Sequence, residues 1–406
     1  MSERLDTVVV GAGQAGLSAS YFLTGRAREH VVLERGRIGE TWRSERWDGF
    51  HLNTPRWTQQ LPGHEYSGQE PDGFAPLAEL IEYVEGYARS FAAPVREGVT
   101  VTALRPRGAG YLLETSGGEI EARNVVVASG AFQRPTPSAP GAESATSVLQ
   151  LHTSAYRRPG QLPEGGVLVV GSGQSGCQIA DELRESGRRV HLSVGRCPWF
   201  PRRYRGRDIL HWTLATGILD QTVDQLPAPE ARLACNPPVS GNDGGHDCHP
   251  RWLSQRGVRL VGRVARIDGT SVRFEPGLEA SLVSGDAFVQ ELLHAIDGFI
   301  TAEGLDAPRA DEPTDAVVAE PDTEELDLES EGITSILWAS GFRPDYSWID
   351  LPLVDAQGWA LQSRGVTAHP GLYVVGLNWL YKRKSALLCG VGEDAEHVVR
   401  HLVERG

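Results

Sequence analysis

Two glycine loops carry the residues best suited to chemistry. The first is Val8-Val9-Val10-Gly11-Ala12-Gly13-Gln14-Ala15-Gly16-Leu17; the second, 160 residues further on, is Val167-Leu168-Val169-Val170-Gly171-Ser172-Gly173-Gln174-Ser175-Gly176. An apolar run leads into each, and a helix of small residues follows. The first glycine permits the tight turn, the second lets backbone approach a pyrophosphate, and the third lets helix and strand pack closely. The phosphates then meet unpaired amides at a helix N-terminus. The strand ends differ. Val31-Val32-Leu33 ends in Glu34, eighteen residues after Gly16. A carboxylate there accepts from both ribose hydroxyls and repels a 2′-phosphate. The matching strand, Arg189 to Val194, ends with Ser193 and Gly195-Arg196, and a guanidinium grips a 2′-phosphate bidentately. Two such units imply two dinucleotides, FAD on the first loop and NADPH on the second. Arg202, Arg203, Arg205 and Arg207 lie close by and strengthen the phosphate reading; an exposed loop arginine is the plain alternative for Arg196.

The elements that must position these loops are legible around them. Pro76 opens a helix with Leu77, Leu80, Ile81, Val84, Ala88 and Phe91 at helical spacing. Strands follow at Val99 to Leu104 and Tyr111 to Thr115, with Gly117-Gly118 as a hairpin turn, and the run Val125 to Ala128 ends in Ser129-Gly130. Pro135, Pro137, Pro140 and Pro159 mark an extended crossing. From Cys197 to Gly257 there is no clear periodicity, but Trp199, Trp212 and Trp252 are costly to leave wet, so this stretch is expected to fold as a cap. Strands return at Val258 to Val264, Ser271 to Glu275, Ile333 to Trp338 and Leu372 to Val375, before a helix around Asp394 to Val403. The expected class is α/β, with two Rossmann-like dinucleotide-binding domains of the two-domain flavoprotein (glutathione-reductase-like) type. Residues 1–158 with 332–406 make the FAD-binding domain; 159–331 make the NADPH-binding domain, with the irregular 197–257 segment and an acidic insertion at 279–331.

Charge and cysteine content narrow the function classes. The net charge of −14 disfavours nucleic acid and anionic membranes as partners. It is concentrated in 279–331, where sixteen acids face one base, Arg309; a solvated helix followed by a mobile acidic loop is the expectation. No apolar run approaches the roughly 20 residues of a membrane span. The N-terminus enters the first strand directly and leaves no room for a signal peptide. Five cysteines (Cys177, Cys197, Cys235, Cys248, Cys389) without CxxC spacing argue for a reducing cytoplasm and against a disulfide redox centre. His246-Asp247-Cys248-His249 is too compact to hold one ion, and no second cluster completes a metal site.

On these loops, on Gly39-Glu40-Thr41-Trp42, on His152-Thr153-Ser154-Ala155-Tyr156 and on Trp338-Ala339-Ser340-Gly341-Phe342-Arg343-Pro344, the chain resembles the flavin-containing monooxygenases (class B flavoprotein monooxygenases). The likeness is to the compact bacterial members and the plant auxin-forming branch. It departs from the family linker motif FxGxxxHxxxY: Thr146 and Val148 stand at the Phe and Gly positions, and only His152 and Tyr156 remain. The resemblance implies that NADPH passes hydride to FAD, NADP⁺ stays bound, and dioxygen adds at flavin C4a to give a (hydro)peroxyflavin that oxygenates a soft nucleophile, an S- or N-containing small molecule. It puts Asn53 beside the flavin edge as the catalytic residue, with an Asx turn into Thr54-Pro55 as the structural alternative. Trp42 is expected to pack on the cofactor, and His152 to act as hinge residue, nicotinamide neighbour or satisfied histidine. Gly376-Leu377-Asn378 occupies the place of a ribityl-phosphate contact. The amides ahead of Gly390 to Asp394 face the flavin pyrimidine or simply start a capped surface helix. The expected cofactor contacts are Gly11, Gly13, Gln14, Ala15, Gly16, Glu34, Arg35, Thr41, Trp42, Thr54, Ala128, Gly130, Gly376 and Asn378 for FAD, and Gly171, Gly173, Gln174, Ser175, Gly176, Ser193, Arg196, Ser340 and Gly341 for NADPH. A homodimer is compatible with the sequence. The rivals are an NADPH oxidase or flavin reductase that releases hydrogen peroxide, and a non-catalytic flavoprotein that binds a partner through its acidic insertion.

Overall fold

The computed structural model describes residues 3–136, 138–196, 198–233, 235–310 and 321–405. In chain order the first elements are β1 (Glu3–Val10), α1 (Gln14–Gly25), β2 (His30–Leu33), α2 (Glu40–Ser44), α3 (Leu77–Ser90), β3 (Val95–Arg96), β4 (Val101–Arg107), β5 (Gly110–Thr115) and β6 (Gly118–Val127). Then follow β7 (Leu149–His152), β8 (Gly166–Val170), α4 (Gln174–Glu185), β9 (Val190–Ser193), α5 (Ile209–Ala215), α6 (Pro250–Ser254) and β10 (Arg259–Val261). The chain closes with β11 (Val264–Asp268), β12 (Ser271–Phe274), α7 (Leu278–Ala302), β13 (Glu325–Asp327), β14 (Ile333–Trp338), β15 (Leu372–Val374) and α8 (Val391–Glu404).

Two parallel sheets organise these elements. The first runs β15-β6-β1-β2-β3, with β4 and β5 continuing antiparallel from β6. The second runs β7-β14-β8-β9-β10, parallel throughout. Val8, Val9, Val167, Leu168 and Val169 are wholly buried. Their strands are covered on both faces, which is why these runs show no polar alternation. Sheet membership redraws the expected boundaries. β7 and β14 lie within 1–158 and 332–406, yet both pair in the second sheet, because an apolar strand takes the neighbour that buries it and not the one nearest in sequence. The two crossings between the sheets run side by side, Arg134–Pro135 antiparallel to Phe342–Arg343.

The irregular region is a folded cap, and the acidic insertion belongs to it. α7 is no solvated helix: Leu282 is buried in the main core, and Val289, Leu292, Ile296 and Ile300 form a row that packs with Phe200, Ile209, Leu210, Trp212, Leu219 and Val239. Its acids are answered by cap residues. Asp286 accepts from Trp199 Nε1 (3.0 Å) and pairs with Arg251 (2.7 Å), Glu279 pairs with Arg251 (2.9 Å), and Asp297 takes Tyr204 Oη (2.8 Å) and Arg205 (2.9 Å). Asp322 caps the helix by accepting from the amides of Gly277 and Leu278. β13 then joins β11 and β12 in a small sheet. The expected mobile loop falls largely on 311–320, which lie outside the described residues. No helix among the described residues is long and apolar enough to cross a membrane.

This packing predicts that Ile296→Ala, at a fully buried position, destabilises the fold by about 2–5 kcal/mol. Val283→Ala, on the exposed face of α7, is expected to change stability by less than about 0.5 kcal/mol. Thermal or denaturant unfolding of the two variants measures the difference; equal, small effects would mean that the helix is solvated all round.

Candidate functional site

At the first loop Gly11 has φ +109°, and a Cβ there would come within 2.6 Å of the Ala128 carbonyl oxygen at the end of β6. A Cβ on Gly16 would strike the Gly11 carbonyl oxygen, whereas Gly13 faces open space to at least 4 Å. The turn and the close packing therefore need glycine, and the middle position leaves room for a ligand. Glu34 is buried at the end of β2 and accepts from the amides of Ala12 (2.8 Å) and Gly36 (2.9 Å), so its carboxylate is fixed beside the loop. The Gly39 amide donates to the Ala12 carbonyl (3.1 Å), which brings α2 with Thr41 and Trp42 to the same edge. Gly376 abuts Ala15: a Cβ on it would collide with the alanine side chain. Asn378, just beyond it, is half-buried. Gln14 donates to the Ala386 carbonyl (2.5 Å). Its Oε1 and the Ser129 Oγ are buried without a partner among the described residues. These orphaned atoms around an open glycine fit a bound dinucleotide.

The remaining first-loop expectations divide. The Trp42 ring packs on Phe50 (5.9 Å between centroids) under the Arg46 guanidinium. Arg35 is exposed and lies 3.6 Å from Glu45. Thr54 Oγ1 accepts from the Thr58 hydroxyl (2.9 Å), and the Gly130 carbonyl accepts from Gln133 (2.8 Å).

The second loop repeats the geometry. Gly171 has φ +114° and a Cβ there would lie 2.5 Å from the Ala339 carbonyl oxygen; one on Gly176 would strike the Gly171 carbonyl. Ala128-Ser129-Gly130 and Ala339-Ser340-Gly341 thus close the two loops in the same way, at the ends of β6 and β14. Around Gly173 the setting differs, since Cys235 Cβ lies 3.7 Å from where a Cβ would be. Gln174 holds the cap strand there, donating to the Val239 carbonyl (2.5 Å) and accepting from its amide (3.3 Å). Ser175 is half-buried on the first turn of α4. Ser193 spends its hydroxyl hydrogen on the Gly262 carbonyl (3.0 Å), and Ser340 donates to the Thr136 carbonyl (3.3 Å). Gly341 accepts from the Thr136 amide (2.9 Å). Arg196 is exposed just past the carboxyl end of β9.

The neighbouring arginines do not join Arg196. Arg202 is buried and bound to Asp208 and to the Asn53 carbonyl. Arg203 donates to the carbonyls of Gly244 and Gly245, and Arg205 pairs with Asp297. Arg207 is exposed on the hairpin. Three of the four are consumed in building the cap, since a guanidinium buried in an irregular region needs acceptors there.

Between the loops the cap is stitched to the first domain. Backbone bonds run from Val223 to Tyr381 (2.8 Å), from Arg383 to Gln221 (2.9 Å) and from Lys384 to Leu219 (3.2 Å). Lys382 and Lys384 each bridge Asp220 and Glu393, at 2.7–2.9 Å. Burial works against charge on both lysines, but these carboxylates outweigh it and hold them above the usual amine range. Asn53 is half-buried and its side-chain amide makes no hydrogen bond among the described residues, so no Asx turn engages it. His152 contacts Ser154 Oγ (3.0 Å) and the Gly341 carbonyl (3.2 Å) at the crossing, with its ring edge-on to Phe342. Tyr156 is wholly buried and donates to Glu182 on α4 (2.6 Å). The histidine-cysteine cluster points to different partners. His246 meets Asp181 (2.8 Å), Asp247 accepts from the Arg202 amide, Cys248 is buried, and His249 stacks on Trp199.

The profile of the pyridine nucleotide-disulphide oxidoreductase family matches residues 8–213 of this geometry, from the first loop to the cap. The chain belongs to that family. Its likeness within that family runs to oxidoreductases and to flavin-containing monooxygenases. The chain is 34% identical to an uncharacterized CzcO-like oxidoreductase of Geobacillus kaustophilus, over 99% of both chains. Over 46% of its length it is 32% identical to the indole-3-pyruvate monooxygenase YUCCA1 of Oryza sativa, covering 47% of that protein. Its fold matches a flavin-containing monooxygenase from Stenotrophomonas maltophilia with a TM-score of 0.68 at 22% identity, over 99% of each chain. Cys177 and Cys248 are buried thiols that burial holds well above their ordinary pKa, which suits packing and not thiolate chemistry. Cys197 lies outside the described residues.

Sequence reading gave Arg202 to a phosphate and missed the Lys382–Lys384 network; a cation run opposite Asp220 and Glu393 has no sequence signature until the cap folds back. Asp394, in the first turn of α8, is 2% exposed and burial pushes its pKa up to about 6. It bonds Ser385, whose Oγ accepts from the amides of Tyr381 (3.2 Å) and Lys382 (2.9 Å). A carboxyl raised in the fold contributes stability that is complete at low pH and lost as pH rises through the folded value. Asp394→Asn keeps the neutral form at all pH, so its stability relative to the parent should climb between about pH 4 and 6 and level off roughly 3 kcal/mol higher. Unfolding midpoints of both proteins across that range check this; a gap independent of pH would contradict it.

Proposed function

We propose that this chain is an FAD- and NADPH-dependent monooxygenase that places one atom of dioxygen on a soft nucleophile, a sulfur- or nitrogen-containing small molecule, the other atom leaving as water. The observation that carries this reading is the duplicated glycine loop with unlike strand ends, a fixed buried carboxylate at one and an exposed guanidinium at the other. Relatives named as monooxygenases support it. Glu34 would hold the ribose of FAD and the amides of Gly13 to Gly16 its pyrophosphate. Gln14 Oε1 and Ser129 Oγ would find their missing partners there, and Arg196 would hold the 2′-phosphate of NADPH above Gly171 to Gly176. A bound flavin would supply the hydride-accepting and oxygen-activating chemistry that these residues themselves lack. The chain's own part is to exclude water and to offer hydrogen bonds. The cap closes over the junction with an apolar cluster that reaches Trp57 and Leu387. The Asn53 amide, free of internal partners, is the group offered to the reacting edge. The helix α8 N-terminus and the two lysines beside it stabilise negative charge on a reduced ring.

The test reduces the FAD-loaded protein with NADPH without air, mixes it with oxygen, and follows flavin absorbance and peroxide. A delay before the oxidised spectrum returns, shortened by an added aryl methyl sulfide that is recovered as its sulfoxide, is the expected result. Immediate reoxidation with one hydrogen peroxide per NADPH would assign an oxidase instead. Separately, Arg196→Gln should raise KM for NADPH by roughly tenfold or more and leave KM for NADH nearly unchanged. Equal effects on both would sink the 2′-phosphate role.

A further inference from the structure

Arg202 is a strange residue to find wholly inside a protein. It is 1% exposed, and burial pulls its guanidinium below its ordinary pKa despite the carboxylates beside it. One arm donates to Asp208 (2.6 Å) and the other to the backbone carbonyl of Asn53 (2.7 Å). The plane lies over the Phe74 ring, 4.9 Å from its centroid, and Nε has no partner among the described residues. The Arg202 amide in turn donates to Asp247. Asp208 also accepts from the Leu210 amide (2.8 Å) and so caps α5. Through its guanidinium and its backbone amide Arg202 therefore joins three cap segments, the 203–208 hairpin, the start of α5 and the 246–247 strand, to a backbone oxygen of the first domain. The cap grips the preceding residue as well: Gly241 approaches the Leu52 carbonyl so closely that a Cβ would strike it. On the far side the Leu52 amide donates to the Ala75 carbonyl (2.8 Å), and Thr58 holds Thr54 and Pro55.

We infer that Arg202 is a positioning residue for Asn53: it fixes the peptide that follows Cα of residue 53, and thereby the direction in which the unbonded amide is offered to the flavin edge. A carbonyl can be bonded by any donor. A planar guanidinium anchored by a carboxylate, an aromatic face and its own backbone amide fixes the direction of that bond as well as its existence. The cost of burying a charge here is offset by Asp208, and the arrangement lets the nucleotide-binding cap set the flavin-side asparagine. This inference rests on the oxygenase reading of Asn53.

The readout is the rate at which the FAD-loaded enzyme releases hydrogen peroxide from NADPH and air with no organic substrate present, a leak that shelter at the flavin edge suppresses. Asn53→Ala should raise the leak roughly tenfold, the loss of one hydrogen bond of moderate strength. Arg202→Lys cannot span both acceptors and should raise it by a similar factor, while anaerobic flavin reduction by NADPH and flavin content stay within about twofold of the parent. In the Asn53→Ala background, Arg202→Lys should add nothing further, because both act through one amide. Asp208→Asn keeps the helix cap but weakens the anchor. It should give a smaller rise in leak, likewise absent in the Asn53→Ala background, and it carries the test if Arg202→Lys does not fold. Leak increases that multiply in the double variant, or an unchanged leak in Asp208→Asn and Arg202→Lys beside a raised one in Asn53→Ala, would overturn the positioning role. An unchanged leak in Asn53→Ala would instead overturn the oxygenase reading of Asn53 itself.

Discussion

The structure depends on one steric constraint, used twice: a helix must approach the strand before it, and the strand beside it, at backbone distance. Gly16 faces the Gly11 carbonyl and lies 3.2 Å, at its notional Cβ, from Ala128 Cβ; Gly176 faces the Gly171 carbonyl and lies 3.2 Å from Ala339 Cβ. Any side chain at either glycine pushes the helix outward and tilts its first amides away from the turn. The third strand of each unit must also end in a small residue, and both end in Ala-Ser-Gly. Close packing at this point is what leaves the first amides of each helix at the carboxyl ends of the strands, where α/β sheets bind their ligands. The same geometry produces two sites of unlike chemistry because the strand ends are free to differ.

The cap is the second organising feature, and charge shapes it as much as apolar packing does. A helix carrying Glu279, Asp286 and Asp297 would be a poor core element alone. Opposite Arg251, Arg205, Tyr204 and the Trp199 indole, each of these carboxylates has a partner, and the apolar stripe from Val289 to Ile300 can then be buried beside Trp212 and Ile209. The cap's far edge is tied to the segment before α8 by backbone bonds and by two lysines between two carboxylates. The two strand-glycine-helix units are thereby held in one relative orientation by the stretch with the least periodic sequence, a division of labour in which regular elements build the loops and the irregular segment aligns them.

Much of this was legible in the sequence because its causes are local. Glycine spacing, the apolar runs before each loop and Glu34 report on contacts within one βαβ unit, and these residues lie together at one end of the sheet. The boundaries were less legible: β7 and β14 read as parts of the first domain by position, and only sheet pairing reveals that they complete the second. α7 read as a solvated acidic helix because the partners of its acids lie 28 to 93 residues away. The arginines after Arg196 read as phosphate ligands for the same reason. A guanidinium beside a nucleotide motif and one buried in a cap have the same letter.

What the sequence determined by itself is the repeated strand-glycine-helix unit and the difference between its two strand ends, since both follow from steric and charge rules that act over a few residues. What only the tertiary structure decided is which charges are spent inside the molecule and which remain for a ligand. Arg202 is bound to Asp208 and Asn53, Ser193 to Gly262, and Gln174 to Val239, while the Asn53 amide and Gln14 Oε1 have no partner among the described residues. Hydrogen-bonding capacity belongs to residue types, but its consumption depends on neighbours that the fold alone brings together.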